Sequence, residues 1–182
     1  MHDLGRNEDR LRGTYEFPFE FHHIDSTHPR YVMSYHWHVE CEIMRILQGT
    51  LTVTLDEKSF TAKAGDVIFV NSGVLHSGIP HDCIYQCIVF DMNMFLKFNS
   101  VCTEYMQKIS HQELLIYHHF TEKHPDIQRS VNSLLILSGR RNQDTSWLYL
   151  DNFTTFSDWF LVIITTWKVC GKPDVITNVS SS

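Results

Sequence analysis

Between residues 14 and 92, short alternations of apolar and polar side chains are broken every few positions by Gly, Asp, Asn or Pro. This is the pattern of short antiparallel strands joined by tight turns. Phe17, Phe19 and Phe21 alternate with Glu16 and Glu20, which predicts a half-buried strand, and Pro18 suggests that it lies at an edge. A second strand is expected from His36 to Leu47, with Gly49 marking a turn. Leu51, Val53 and Leu55 alternate with Thr52 and Thr54, Asp56-Glu57-Lys58 supplies a hairpin loop, and Ser59 to Lys63 returns. Ala64-Gly65-Asp66 turns again, Val67 to Val70 reads as a short buried strand, and Asn71-Ser72-Gly73 breaks the chain before a last strand from Cys83 to Phe90. Strands of this length and spacing imply a mainly β sandwich or barrel of jelly-roll type.

After about residue 92 the period changes. His124-Pro125-Asp126 opens a helix with Pro near its first position, Ile127, Val131, Leu134 and Leu135 fall on one stripe, and Gly139 is the expected stop. A second helix should start near Asp144 or Thr145. In it Tyr149, Phe153, Phe156, Phe160, Ile163 and Trp167 recur at steps of four and three, a heptad-like seam, and Gly171 and Pro173 end it. Such a seam either packs on the preceding helix or the barrel, or forms a homodimer interface. The expected division is a barrel with an N-terminal arm over residues 1–95, then a connecting segment and a helical pair over 96–182, with Asp174 onward a linker or frayed tail.

A hydrophobic fraction of 43% and an aromatic fraction of 13% over 182 residues describe one well-cored globular unit. A net charge of −6 argues against binding nucleic acid by this chain alone. Five cysteines (Cys41, Cys83, Cys87, Cys102 and Cys170) form no C-x-x-C pair and fit free thiols in a reducing compartment. The charged N-terminus lacks the apolar core of a secretory signal. The apolar run from Trp159 to Trp167 is about half the ~20 residues a membrane helix needs. The expectation is a soluble, cytoplasmic protein that does not enter a membrane.

The chemistry concentrates in His36, His38 and Glu42, with His76 downstream. On a continuous strand positions 36, 38 and 42 share one face, so three metal-type ligands would converge without a special loop and His76 would join them from a second strand. Other histidines read as surface: the adjacent pairs His22-His23 and His118-His119 would point their side chains to opposite sides of a strand. Cys83 and Cys87 read as buried thiols, Ser72 and Ser77 lack a nucleophile elbow, and Arg140-Arg141 suits a helix end.

The set His36-x-His38-x-x-x-Glu42 with Gly49, and Gly65 through Asn71 and Gly73 to His76, resembles the two motifs of the cupin superfamily. Asn71 stands where that family usually has proline, Pro80 where it often has asparagine, and no glycine precedes the histidine pair. The wording Tyr35-His36-Trp37-His38-Val39-Glu40, Ile46-Leu47-Gln48-Gly49, Lys63-Ala64-Gly65-Asp66 and Asn71-Ser72-Gly73-Val74-Leu75-His76-Ser77 is similar to the N-terminal sensor domain of AraC-type transcriptional regulators. The resemblance implies a double-stranded β-helix, or cupin, barrel followed by two helices that often form the dimer contact. It also implies a DNA-binding domain of two helix-turn-helix units beyond the barrel, and this chain stops at residue 182. This would be either the sensor half of a longer regulator or a protein without a DNA-binding half.

Two uses of the site follow. As a sensor, the barrel would bind a small metabolite, a sugar being one such class, near His36, His38, Glu42 and His76, and change how the N-terminal arm and the helices pack. As an enzyme, the same four side chains would hold Zn²⁺, Fe²⁺, Mn²⁺ or Ni²⁺ for a dioxygenase, isomerase or epimerase. The helical C-terminal third favours the sensor. A storage or purely structural cupin is a third reading, disfavoured by the single-barrel length.

Overall fold

A computed structural model describes residues 6–10, 12–13, 19–93, 103–139 and 176–178. Two long strands organise it, β3 (Cys41–Leu55) and β6 (His76–Phe90), antiparallel along nearly their whole length. The first half of β3 also pairs with β5 (Val67–Val70), and its second half with β4 (Lys58–Lys63). In the same way β6 pairs with β2 (Met33–His36) at its start and with β1 (Phe19–Ile24) at its end. A short β8 (His119–Phe120) extends the sheet past β5, giving seven antiparallel strands with β1 at one edge, as Pro18 suggested. This is the cupin jelly-roll that the motif spacing implied.

Two expected boundaries are corrected. Gly49 does not end a strand: β3 runs through it, with register shifts between Ile46 and Thr50. At φ +68 it lies in the left-handed region, and a Cβ there would stand 2.2 Å from the Asp82 carbonyl oxygen. Gly49 is therefore where β3 and β6 bend together and pass close; only a residue without a side chain allows both. The last strand likewise begins at His76 rather than Cys83, because Asp82 takes φ +45 and lets β6 bend without breaking.

Alternation along the strands separates two cores. Ile43, Val67, Phe69, Ile88 and Phe90 face α2 (Pro125–Gly139), whose Ile127, Val131, Leu134 and Leu135 form the expected stripe and are buried there. Met44, Ile46, Ile68, Val70, Tyr85 and Cys87, the intervening residues, fill the barrel. Burial on both faces explains why Val67–Val70 reads as an unbroken apolar run. Pro125 opens α2 at its first turn, where a missing N–H costs nothing, and Gln128 Nε2 donates to the Gly65 carbonyl across the layer.

The segment between barrel and α2 holds structure that its sequence did not announce. α1 (Thr103–Ser110) precedes β7 (Leu114–Ile116), and β7 pairs with β9 (Ile176–Asn178), a stretch expected to be tail. Asn71 reaches the same strand. Its side chain donates to the Ile116 carbonyl (2.8 Å) and accepts from the Ile116 N–H (2.9 Å), a polar clasp that proline could not supply. Asn71→Ala strands both buried backbone groups and is expected to cost at least about 2 kcal/mol in urea unfolding, since each orphaned group carries roughly 1–3 kcal/mol.

The expected second helix, with Tyr149, Phe153, Phe156, Phe160, Ile163 and Trp167, lies outside the described residues, as do Phe17 and Arg140-Arg141. Cys41, Cys83 and Cys87 are buried free thiols, as expected. Burial pushes Cys41 up to about 12 and Cys83 up to about 11, so neither is a ready nucleophile.

Candidate functional site

The four side chains singled out in the sequence meet, though not by the route expected. His36 ends β2, the chain breaks from strand geometry over residues 38–40, and Glu42 belongs to β3. No single strand face carries all three. His36 instead sits directly opposite His76 in the β2–β6 pair, which brings their ring centroids to 4.1 Å. His38 is held from behind by the loop before β6: its carbonyl accepts from the Gly73 N–H (2.9 Å), and Ser72 Oγ donates to the Val39 carbonyl (2.6 Å). Glu42 points into the barrel by the same alternation that turns Met44 and Ile46 inward.

One ring nitrogen from each of His36, His38 and His76 lies within 4.8 Å of the others. Glu42 Oε2 stands 3.3 Å from His76 Nε2 and 3.6 Å from His38 Nε2. His38, Glu42 and His76 are buried, and His36 is half-buried at the open side. Each histidine sets its Nδ1 against a backbone carbonyl: Ser34 for His36 (2.8 Å), Glu40 for His38 (3.0 Å), Val74 for His76 (2.8 Å). A carbonyl only accepts, so Nδ1 carries the hydrogen and a neutral ring leaves the Nε2 lone pair free.

The Nε2 atoms of His38 and His76 are buried without a hydrogen-bond partner. Burial, and then the neighbouring His76, lower the His36 pKa and favour its neutral form. Burial alone would raise Glu42, but hydrogen bonds and charge from His38 and His76, when these rings also carry a proton on Nε2, outweigh it and hold the carboxyl well below its usual range. Three imidazole nitrogens oriented by carbonyls, with a carboxylate beside two of them, form a donor set that fits a divalent transition ion.

Around this set the barrel opens into a small pocket, a cavity of about 50 Å³ continuous with solvent. Tyr85, Cys87 and Val89 from β6 give its apolar wall. Its rim is charged, and there the sequence reading missed residues: Glu8 and Arg12 of the N-terminal arm, His22 of β1, and His28 and Arg30 of the following loop. His22 had been expected on the surface; it is half-buried and lines the pocket, because it shares a strand face with the inward Ile24. Its parity with Ile24 was the available signal. His118-His119 needs the same correction, since His119 Nε2 bonds Asp66 (2.9 Å) and the ring stacks on Phe60.

The arm closes one side of the pocket. Arg6–Glu8 lie alongside Trp37, with the Glu8 N–H donating to the Trp37 carbonyl (2.9 Å) and the Trp37 N–H to that of Arg6 (3.0 Å). Arg12, only 3% exposed, reaches Glu8 (2.9 Å), Glu40 (3.3 Å) and Glu20 (3.6 Å). Apart from Glu8 and Arg12, four residues apart, these partners are distant along the chain, and such pairings leave no local mark in sequence.

Among known proteins, an uncharacterized HTH-type transcriptional regulator of Bacillus subtilis (strain 168), YdeC, is 36% identical over 56 residues. That stretch is 29% of this chain and 19% of the regulator's length. Structures of the Bacillus subtilis oxalate decarboxylase OxdC are 25% identical over 33% of this chain and 18% of theirs, at a TM-score of 0.30 that is too low to bear on function. The profile of the AraC-like ligand binding domain matches residues 18–148. That span takes in β1 through α2, the three histidines and the barrel's share of the pocket lining, though not Glu8 and Arg12 of the arm, and the chain therefore belongs to the AraC-like ligand-binding domain family.

Proposed function

We propose that this chain is the effector-sensing part of a cytoplasmic transcriptional regulator. A small polar metabolite enters the pocket beside His36, His38, Glu42 and His76 and changes how the arm and the C-terminal helical segment pack. The observation that carries the reading is a pocket built from both barrel strands and the N-terminal arm: Glu8 and Arg12 on one side, His22, His36 and Tyr85 on the other. A ligand contacting both parts biases the arm's position, which is what a sensor requires. Membership of a ligand-binding family supports sensing over turnover.

A homodimer through the seam of Tyr149, Phe153, Phe156, Phe160, Ile163 and Trp167 would carry the signal to a DNA-binding domain of the helix-turn-helix type. The seam's periodicity supports this, and so does α2, whose own stripe is already covered by the barrel. Among the described residues no helix is long and apolar enough to cross a membrane. The test is sedimentation of the chain at micromolar concentration, alone and with Phe153→Glu and Phe160→Glu together. A dimer that the double substitution dissociates, with unchanged circular dichroism, is expected; a monomeric wild type refutes the dimer.

A second reading rests on the three oriented Nε2 atoms. A resident Zn²⁺, Fe²⁺, Mn²⁺ or Ni²⁺ on His36, His38, His76 and Glu42 would supply Lewis acidity, and an open position there would suit a dioxygenase, isomerase or epimerase. Elemental analysis separates the readings: protein that stays metal-free and ignores added Fe²⁺, Mn²⁺ and Zn²⁺ is no metalloenzyme.

A further inference from the structure

The Glu8 carboxylate is placed as a bound anion would be. It comes from the arm, yet it lies inside the pocket among three guanidiniums, Arg30 Nη1 at 2.5 Å and Arg10 Nε at 3.3 Å from Oε1, and Arg12 Nη2 at 2.9 Å from Oε2. Its Oε2 also stands 3.7 Å from His36 Nε2, at the open side of the three-histidine group. Arg12 has two other carboxylates, Glu20 and Glu40, to satisfy it. Arg30, on the barrel's own loop, pairs with Glu8 and with no other carboxylate among the described residues. With a guanidinium facing each of its oxygens, this position is built for a carboxylate anion.

Resting on the sensor reading above, we infer that the effector is a small organic carboxylate that takes the place of Glu8 between Arg30 and His36, releasing the arm. The planar two-oxygen group that fits a guanidinium is the same in Glu8 and in a free acid, so the exchange keeps Arg30 paired while the Glu8 carboxylate passes to water. A neutral polyol in that position would leave Arg30 without the carboxylate it now pairs with. Intramolecular Glu8 competes at the high local concentration of a tethered group, so the wild type binds a free acid more weakly than a chain lacking it.

The experiment uses acetate, and galacturonate against galactose, which share a sugar ring and differ by a carboxylate. Calorimetry and thermal unfolding are run on the whole chain as wild type, Glu8→Ala, Glu8→Gln and Glu8→Ala with Arg30→Gln. Acetate and galacturonate are expected to bind Glu8→Ala and Glu8→Gln at least tenfold more tightly than wild type and to lose that gain with Arg30→Gln. Arg30 is exposed, and its loss leaves the core intact. Equal acid affinity with and without Glu8, or acid binding that survives Arg30→Gln, overturns the inference. Galactose binding that ignores both changes and is lost in His38→Gln overturns it too, while leaving the sensor intact. Acid binding that fails to increase hydrogen exchange at the Glu8 and Trp37 amides keeps the acid site and removes the sensor.

Discussion

Gly49→Ala is expected to lower the free energy of unfolding by about 3 kcal/mol or more, enough to unfold a marginal domain. Two terms add. A left-handed φ costs a residue with a Cβ roughly 1–2 kcal/mol. The second term is steric: the added carbon would meet the Asp82 oxygen at 2.2 Å and the His81 oxygen at 2.6 Å. Both are backbone atoms, so no rotamer relieves the contact, and the β3–β6 pair must separate at its bend. Gly65→Ala provides the comparison, for Gly65 has φ +92 but nothing within 4 Å of the added carbon. It should lose only the backbone contribution, roughly 1–2 kcal/mol. Urea midpoints of the two variants measure the difference, and equal losses would mean that the close approach at Asp82 does not hold the bend.

The second large effect is on metal affinity. His38→Gln and His76→Gln should each weaken Zn²⁺ or Mn²⁺ binding on the order of 100-fold or more. A four-ligand site carries roughly 10–16 kcal/mol, so one ligand is worth about 3 kcal/mol. His36→Gln should act in the same direction, since its ring nitrogen is one of the three that converge. His23→Gln, exposed and outside the pocket, should change nothing. Calorimetry with each ion reads this directly, and the metal-dependent rise in Tm gives an independent measure. Ion binding that survives both buried substitutions would place the ion elsewhere and leave the histidines as hydrogen-bonding groups of an organic pocket.

Several features were legible because they depend on neighbours in the chain. The alternation in Leu51–Leu55, the turn at Gly65-Asp66 and the stripe of Ile127, Val131, Leu134 and Leu135 all reappear as strand, turn and buried helix face. The grouping of His36, His38, Glu42 and His76 was also foreseen, though for an incomplete reason: the expected single strand face is interrupted at residues 38–40, and the cross-strand pairing of His36 with His76 brings the set together. β8, two residues long, carries too little pattern to be seen; it exists because β5 offers it an edge.

Strand parity and the tight turns can be read along the chain because backbone geometry sets each over a few positions, and the ligand-type residues are visible as residue types. That Gly49 is a bend rather than a turn follows from the packing alone, since its neighbours there, His81 and Asp82, lie more than thirty positions away. Only the tertiary structure placed Glu8 against Arg30 and Arg12 against Glu40, making the arm part of the pocket. Charges on an arm look alike along the chain, and which of them meets a partner is fixed by how the barrel brings distant backbone within reach.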